Sequence, residues 1–270
     1  MIMKTTSHSL HYILRLACAM CFIGHGAFGI ITKAVWCNYF GVFGIGQDMA
    51  YQLMPVVGVM DITFGTILLV YPLRIAAGWL VFWGLFTALL RPLSGESFGE
   101  FFERAGNYGA PLILLLVSSA SGLPLKGWFQ KLEPRKIDDE QQWRTITMGL
   151  QLIAFALLAG HGWLNLIGKA GLLKQYEALG FSDPLQVAHR IGLIEVGGAV
   201  LLLVKPFRQI VLLLFLWKMA SELFYPSYEI WEWVERGGSY GVLLGLWLVL
   251  RERNYTIFHY FTSTPLASAK

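Results

Sequence analysis

What most constrains this 270-residue chain is that it says nearly the same thing twice. Gly24-His25-Gly26 returns 136 residues later as Gly160-His161-Gly162, and Lys33 is answered by Lys169 at the same spacing. Gly58, Asp61, Val70, Pro72 and Arg74 recur 134 residues on as Gly192, Glu195, Val204, Pro206 and Arg208. Glu103-Arg104-Ala105-Gly106-Asn107-Tyr108-Gly109 recurs at 132 as Glu235-Arg236-Gly237-Gly238-Ser239-Tyr240-Gly241. Such drift is what short loop deletions leave in a duplicated unit, so the fold is one module written twice. Features kept in both copies can then be told from features present in one.

The module is built for a membrane. Hydrophobic residues make up 56% of the chain, charged residues 14%, and the mean hydropathy is +0.55. A soluble domain carries roughly 25% charged residues. The apolar runs reach the roughly 20 residues a helix needs to cross a bilayer core. Continuous runs such as Leu112–Val117 and Val211–Trp217 exclude the short alternating segments of a membrane barrel. The expected fold is all-α, with eight transmembrane helices as two four-helix bundles related by a pseudo-two-fold axis along the membrane normal. The first repeat, 1–122, holds spans 11–32, 53–70, 73–91 and 105–121; the second, 146–253, holds 146–168, 188–204, 207–225 and 238–251. Residues 123–145 form a polar linker and 254–270 a C-terminal tail. Pro72 and Pro206 break the chain between second and third spans, where proline removes a donor and restricts its predecessor.

Of the 21 lysines and arginines, 13 fall on the side that holds both termini, the linker and the proline turns. By the positive-inside rule that side is cytoplasmic, and the expected location is a bacterial-type inner membrane. The formal charge of +4 is therefore a topology signal, and the partner it implies is the lipid bilayer, not nucleic acid. The first apolar run continues into a full span and does not read as a cleavable signal.

Ionisable residues inside spans are expensive and mark candidate sites. At about 1.5 Å of rise per residue, His25 and Asp61 lie roughly 10–12 Å below the outer surface, and His161 and Glu195 match that level in the second copy. A charge-assisted hydrogen bond would relieve the burial of each partner. Such a pair either staples two helices or handles protons, and both readings stay open. Lys218 and Glu222, one turn apart on one face, have only Gly84 and Ala88 as counterparts. The second repeat thus gathers His161, Glu195, Lys218 and Glu222, while the first is expected to be packing surface. Haem ligation by His25 and His161 is another use of the imidazoles, which the carboxylates suit equally well as hydrogen-bond partners.

Before each last span, Glu100, Glu103 and Arg104 parallel Glu232, Glu235 and Arg236, interleaved with Phe or Trp. This reads as a short amphipathic helix lying on the outer surface in an aromatic belt. Cys18 and Cys21 form a CxxC inside the first span, where the duplicate has Ala154 and Leu157, so they read as packing residues. No zinc ligand set completes that pair, and no metal is expected. Gly24–Gly29 and Gly95–Gly99 match nucleotide-loop and nucleophile-elbow patterns, but neither has the strand context that chemistry needs.

A four-span module with an early Gly-His-Gly, an acid on its second span, a proline turn and Glu-Arg-x-Gly-x-Tyr-Gly opening its fourth resembles the DoxX/DoxD-like membrane proteins. Here it would be a tandem pair covering nearly the whole chain. The resemblance implies a redox-associated subunit with a quinone-like or lipid ligand, and other membrane or redox subunits as partners. A non-enzymatic scaffold or assembly subunit is the alternative.

Overall fold

Long apolar runs have only their own backbone to satisfy their amides in lipid, so they coil into helices. The structure is a computed structural model that describes residues 2–118, 125–224 and 230–252; nothing in it bears on the tail at 254–270, the start of the linker, or the ends of the fourth and seventh spans. The first repeat contributes α1 (Ile2–Ile30), α2 (Trp36–Gly41), α3 (Gln47–Val70), α4 (Arg74–Leu93), α5 (Gly99–Glu103) and α6 (Ala105–Ser118). The second contributes α7 (Glu140–Leu166), α8 (Ala170–Ala178), α9 (Pro184–Val204), α10 (Arg208–Glu222), α11 (Ile230–Glu235) and α12 (Gly237–Glu252). A helix therefore occupies each of the eight expected stretches. Five of them, α1, α3, α4, α7 and α9, are long and apolar enough to cross a membrane. The other three, α6, α10 and α12, have 14, 15 and 16 residues.

Local chemistry sets the ends. Asp139 caps α7 by accepting from the Gln141 amide at 2.9 Å, and Asp183 caps α9 from Gln186 at 3.0 Å, with Pro184 opening the helix. The linker folds back on the first proline turn: Leu132 donates to the Pro72 carbonyl at 2.6 Å, and Arg74 to that of Gln130 at 3.1 Å.

Within each repeat the first helix packs on the second and the third on the fourth, while second and third barely touch. The expectation of two separately closed bundles is corrected here. The first and last helices of both repeats, α1, α6, α7 and α12, pack on one another and share one core that includes Leu14, Ile113, Leu150 and Leu246. Close approach explains it: a Cβ on Gly106 would lie 2.5 Å from the Ser239 amide, and one on its counterpart Gly238 2.5 Å from the Gly106 carbonyl. Outward faces of α3, α4, α9 and α10 keep large apolar residues exposed, among them Val59, Phe82, Ile194 and Leu213.

One turn recurs with a chemical difference. After α1 and α7 the chain takes a left-handed residue, Thr32 at φ 56° and Gly168 at φ 64°. Each turn folds the following lysine back, Lys33 donating its amide to Phe28 and Lys169 to Leu164. A β-branched residue is strained there by about 1–2 kcal/mol, against about 0.5–1 kcal/mol for glycine's greater freedom when unfolded. Thermal melts in detergent should show Gly168→Thr destabilised, and Thr32→Gly equal to or more stable than the parent. A clear loss in Thr32→Gly would contradict the strain.

Candidate functional site

Each histidine is clamped from two sides by its flanking glycines. Gly26 and Gly162 face their own repeat: a Cβ would lie 2.6 Å from the Gly58 carbonyl in one and 3.0 Å from that of Gly192 in the other. The second helix therefore packs close, and its acid reaches the imidazole. His25 Nδ1 and Asp61 Oδ2 are 2.7 Å apart; His161 Nδ1 and Glu195 Oε2 are 2.6 Å apart. Gly24 and Gly160 face the opposite repeat. A Cβ on Gly24 would lie 2.4 Å from the Glu235 amide, and one on Gly160 2.3 Å from that of Glu103. Each Gly-His-Gly thus sits between its own second helix and the short acidic helix of the other copy.

That exchange overturns the surface reading of Glu100, Glu103, Arg104, Glu232, Glu235 and Arg236. They are only 2–6% exposed, because α5 packs on α7 and α11 on α1. Their partners cross between repeats. Lys33 pairs with Glu232, and its duplicate Lys169 with Glu100 at 2.5 Å. Arg236 meets Glu103 at 3.3 Å, and Arg104 bridges Glu100 at 2.7 Å and Glu103 at 2.8 Å. Carboxylates buried this deeply need such close opposite charge to offset their desolvation.

Lys218 does not stand ready for an anion. It is fully buried and bridged to Glu222 at 2.5 Å, while the other Glu222 oxygen lies 3.5 Å from Arg236 Nε. Ligand atoms of Glu103, His161 and Glu222 fall within 4.8 Å of one another, a set the sequence did not suggest. Lys218 and Arg236 already supply the positive charge a cation would bring to those carboxylates, so the set does not fit a resident metal.

Beside His161 lies a cavity of about 230 Å³, walled by Tyr176, Ile191, Trp217, Ser221, Glu222 and Phe224 among others. Trp217 donates to Glu195 Oε1 at 3.0 Å, and Tyr176 donates to Asn165 at 2.7 Å, whose amide reaches Glu195 at 3.3 Å. The cavity's polar end is thus His161 with a positioned carboxylate behind it. A second cavity of about 140 Å³ lies beside His25 in the first repeat. Between the repeats an open polar cavity of about 590 Å³ carries Lys33, Lys169, Glu100 and Glu232 on its walls. Cys18 and Cys21 are free thiols buried in the shared core.

Reasoning from sequence missed Tyr176, Asn165 and Trp217. Trp217 repeats Trp83 at 134, a signal that was present; Tyr176 repeats Tyr39 only at 137, in a stretch where the spacing drifts. Asn165 has only Gly29 as its counterpart at 136.

Arg236→Met would leave Glu103 and Glu222 buried with less compensation, a change that costs about 3–5 kcal/mol. The melting temperature in detergent should fall sharply and recover in part when Glu103→Gln is added; no fall would contradict the network.

Comparison with protein-family models, with curated proteins and with solved structures gives no match.

Proposed function

We propose that all eight helices cross the bilayer, the repeats related by a pseudo-two-fold axis along its normal, with both termini in the cytoplasm of a bacterial-type cell. The concentration of 13 of the 21 basic residues on one side supports this orientation. The short α6 and α12 are extended outward by α5 and α11, which makes discontinuous spans broken at Arg104 and Arg236. Broken helices are tolerated at membrane depth where protein buries them, and both arginines are buried. A cysteine at Gln130 should stay unlabelled by an impermeant reagent added to intact cells; labelling from outside would reverse the orientation.

Within that frame we place a quinone-like or lipid ligand in the outer half of the second repeat, the protein acting as a redox-associated membrane subunit. One observation carries this: the 230 Å³ cavity has an aromatic wall and a polar end formed by His161 and Glu222. Reduction of a quinone to a quinol takes up two electrons and two protons. An imidazole can hand a proton to a ligand oxygen, and Glu195 holds His161 through Nδ1, which leaves Nε2 for that role. Electrons must come from a partner subunit, as the DoxX/DoxD resemblance implies. The cross-repeat ion pairs favour the second reading, a scaffold or assembly subunit whose buried charges only join its halves.

Gentle purification followed by chemical analysis of the extracted lipid separates these readings. Wild type and Asp61→Asn should retain at least one quinone per chain, and Glu195→Gln and His161→Ala should each retain one fewer than wild type while inserting normally. Equal retention by all four, or no quinone in any, would leave the scaffold reading.

A further inference from the structure

The cavity beside His25 is the cavity beside His161 in its other copy. Their walls correspond position by position: Val57 and Ile191, Trp83 and Trp217, Thr87 and Ser221 are all 134 residues apart, and both line their cavities. Tyr39 on α2 stands where Tyr176 stands on α8. The histidine at the end of each cavity is held through Nδ1 by the acid of its own second helix. Pocket and dyad have thus come through the duplication together.

We infer that the first repeat carries a second ligand site, for an uncharged headgroup of a single aromatic or quinoid ring. Three observations define the occupant. The cavity measures about 140 Å³, and an apolar cavity of about 150 Å³ holds benzene. Its walls are dominated by rings, Trp36, Tyr39, Phe40, Phe43, Trp83 and Phe86, which suit a planar apolar face. Arg91 on the wall is bridged to Glu96 at 3.2 Å and Glu100 at 3.3 Å, and Arg104 to Glu100 at 2.7 Å and Glu103 at 2.8 Å, so both wall arginines are already paired against an anionic ligand. With Nδ1 on Asp61, His25 Nε2 is the ring atom left to meet a ligand oxygen.

The size difference has a local cause. Phe86 projects into the first cavity where the second has Ala220, and the volumes are about 140 and 230 Å³. The second repeat therefore accommodates a larger ring system and the first excludes it. The ligand class rests on the function proposed above; the existence of the second cavity does not.

Titration calorimetry on the full chain in detergent micelles tests this with two probes. One is methyl-benzoquinone, a single ring, and the other is menadione, which carries the same methylated quinone ring fused to a second. The single-ring probe should bind at two sites per chain and menadione at one. Val57→Trp should remove one single-ring site and spare menadione, and Phe86→Ala should raise menadione to two sites. Ile191→Trp should abolish menadione binding and leave one single-ring site. Should Val57→Trp fail to insert, Thr87→Phe blocks the same cavity from α4. A single site for the benzoquinone, abolished by Ile191→Trp, would overturn this inference and leave the second-repeat site standing. No binding of either probe would overturn both.

Discussion

Carboxylates taken out of water must meet positive charge, and neither repeat of this chain supplies enough of it to its own acids. Removing an ion from water has an effective penalty of several kcal/mol, which only close and well-aligned partners offset. Glu232 has Lys33, Glu100 has Lys169 beside its local arginines, and Glu103 has Arg236 beside Arg104. Every one of these sets includes a contact between the repeats. The swapped seats of α5 and α11, the shared core and the glycines that admit the acidic helices all serve this pairing. Two modules that could have been strung together loosely are thereby locked into one unit.

The same exchange builds the histidine sites. Gly160 brings the Glu103 backbone against α7 beside His161, and Gly24 brings that of Glu235 against α1 beside His25. The His25 cavity is walled in part by Glu235 of the other repeat, whereas the described wall of the His161 cavity comes from its own repeat. The differences between the two are small and local: Glu222 in place of Ala88, Ala220 in place of Phe86, and Asn165 in place of Gly29. They enlarge the second cavity and surround its dyad with more hydrogen bonds, without altering the plan.

Much of this was legible in the residues, and what was hidden was hidden for a reason. Long apolar runs and proline turns located the helices, and matched depth brought His25 to Asp61 and His161 to Glu195. The acidic segments were misplaced because acids three apart among aromatics look alike in a surface helix and in one buried against opposite charge. Helical periodicity records which face is polar, not whether water or arginine meets it. The strength of the Glu-Arg-x-Gly-x-Tyr-Gly repeat was itself a sign of burial, since few positions on a lipid-facing surface demand so specific a set. The one-turn spacing of Lys218 and Glu222 left a local salt bridge open as the plain reading of that pair, and the structure forms it.

The crossed seating of α5 and α11 also imposes an order on biogenesis. As the nascent chain leaves the ribosome, Glu100 and Glu103 emerge well before Lys169 and Arg236 have been made. The early half must wait with its acidic helix incompletely neutralised, its place against α7 not yet in existence. Only when the last segment emerges can α11 settle on α1 and the first histidine acquire its full surroundings. Maturation is then a single late event that joins both halves, and a chain truncated between them would present the cell's quality-control proteases with a half-built charge cluster.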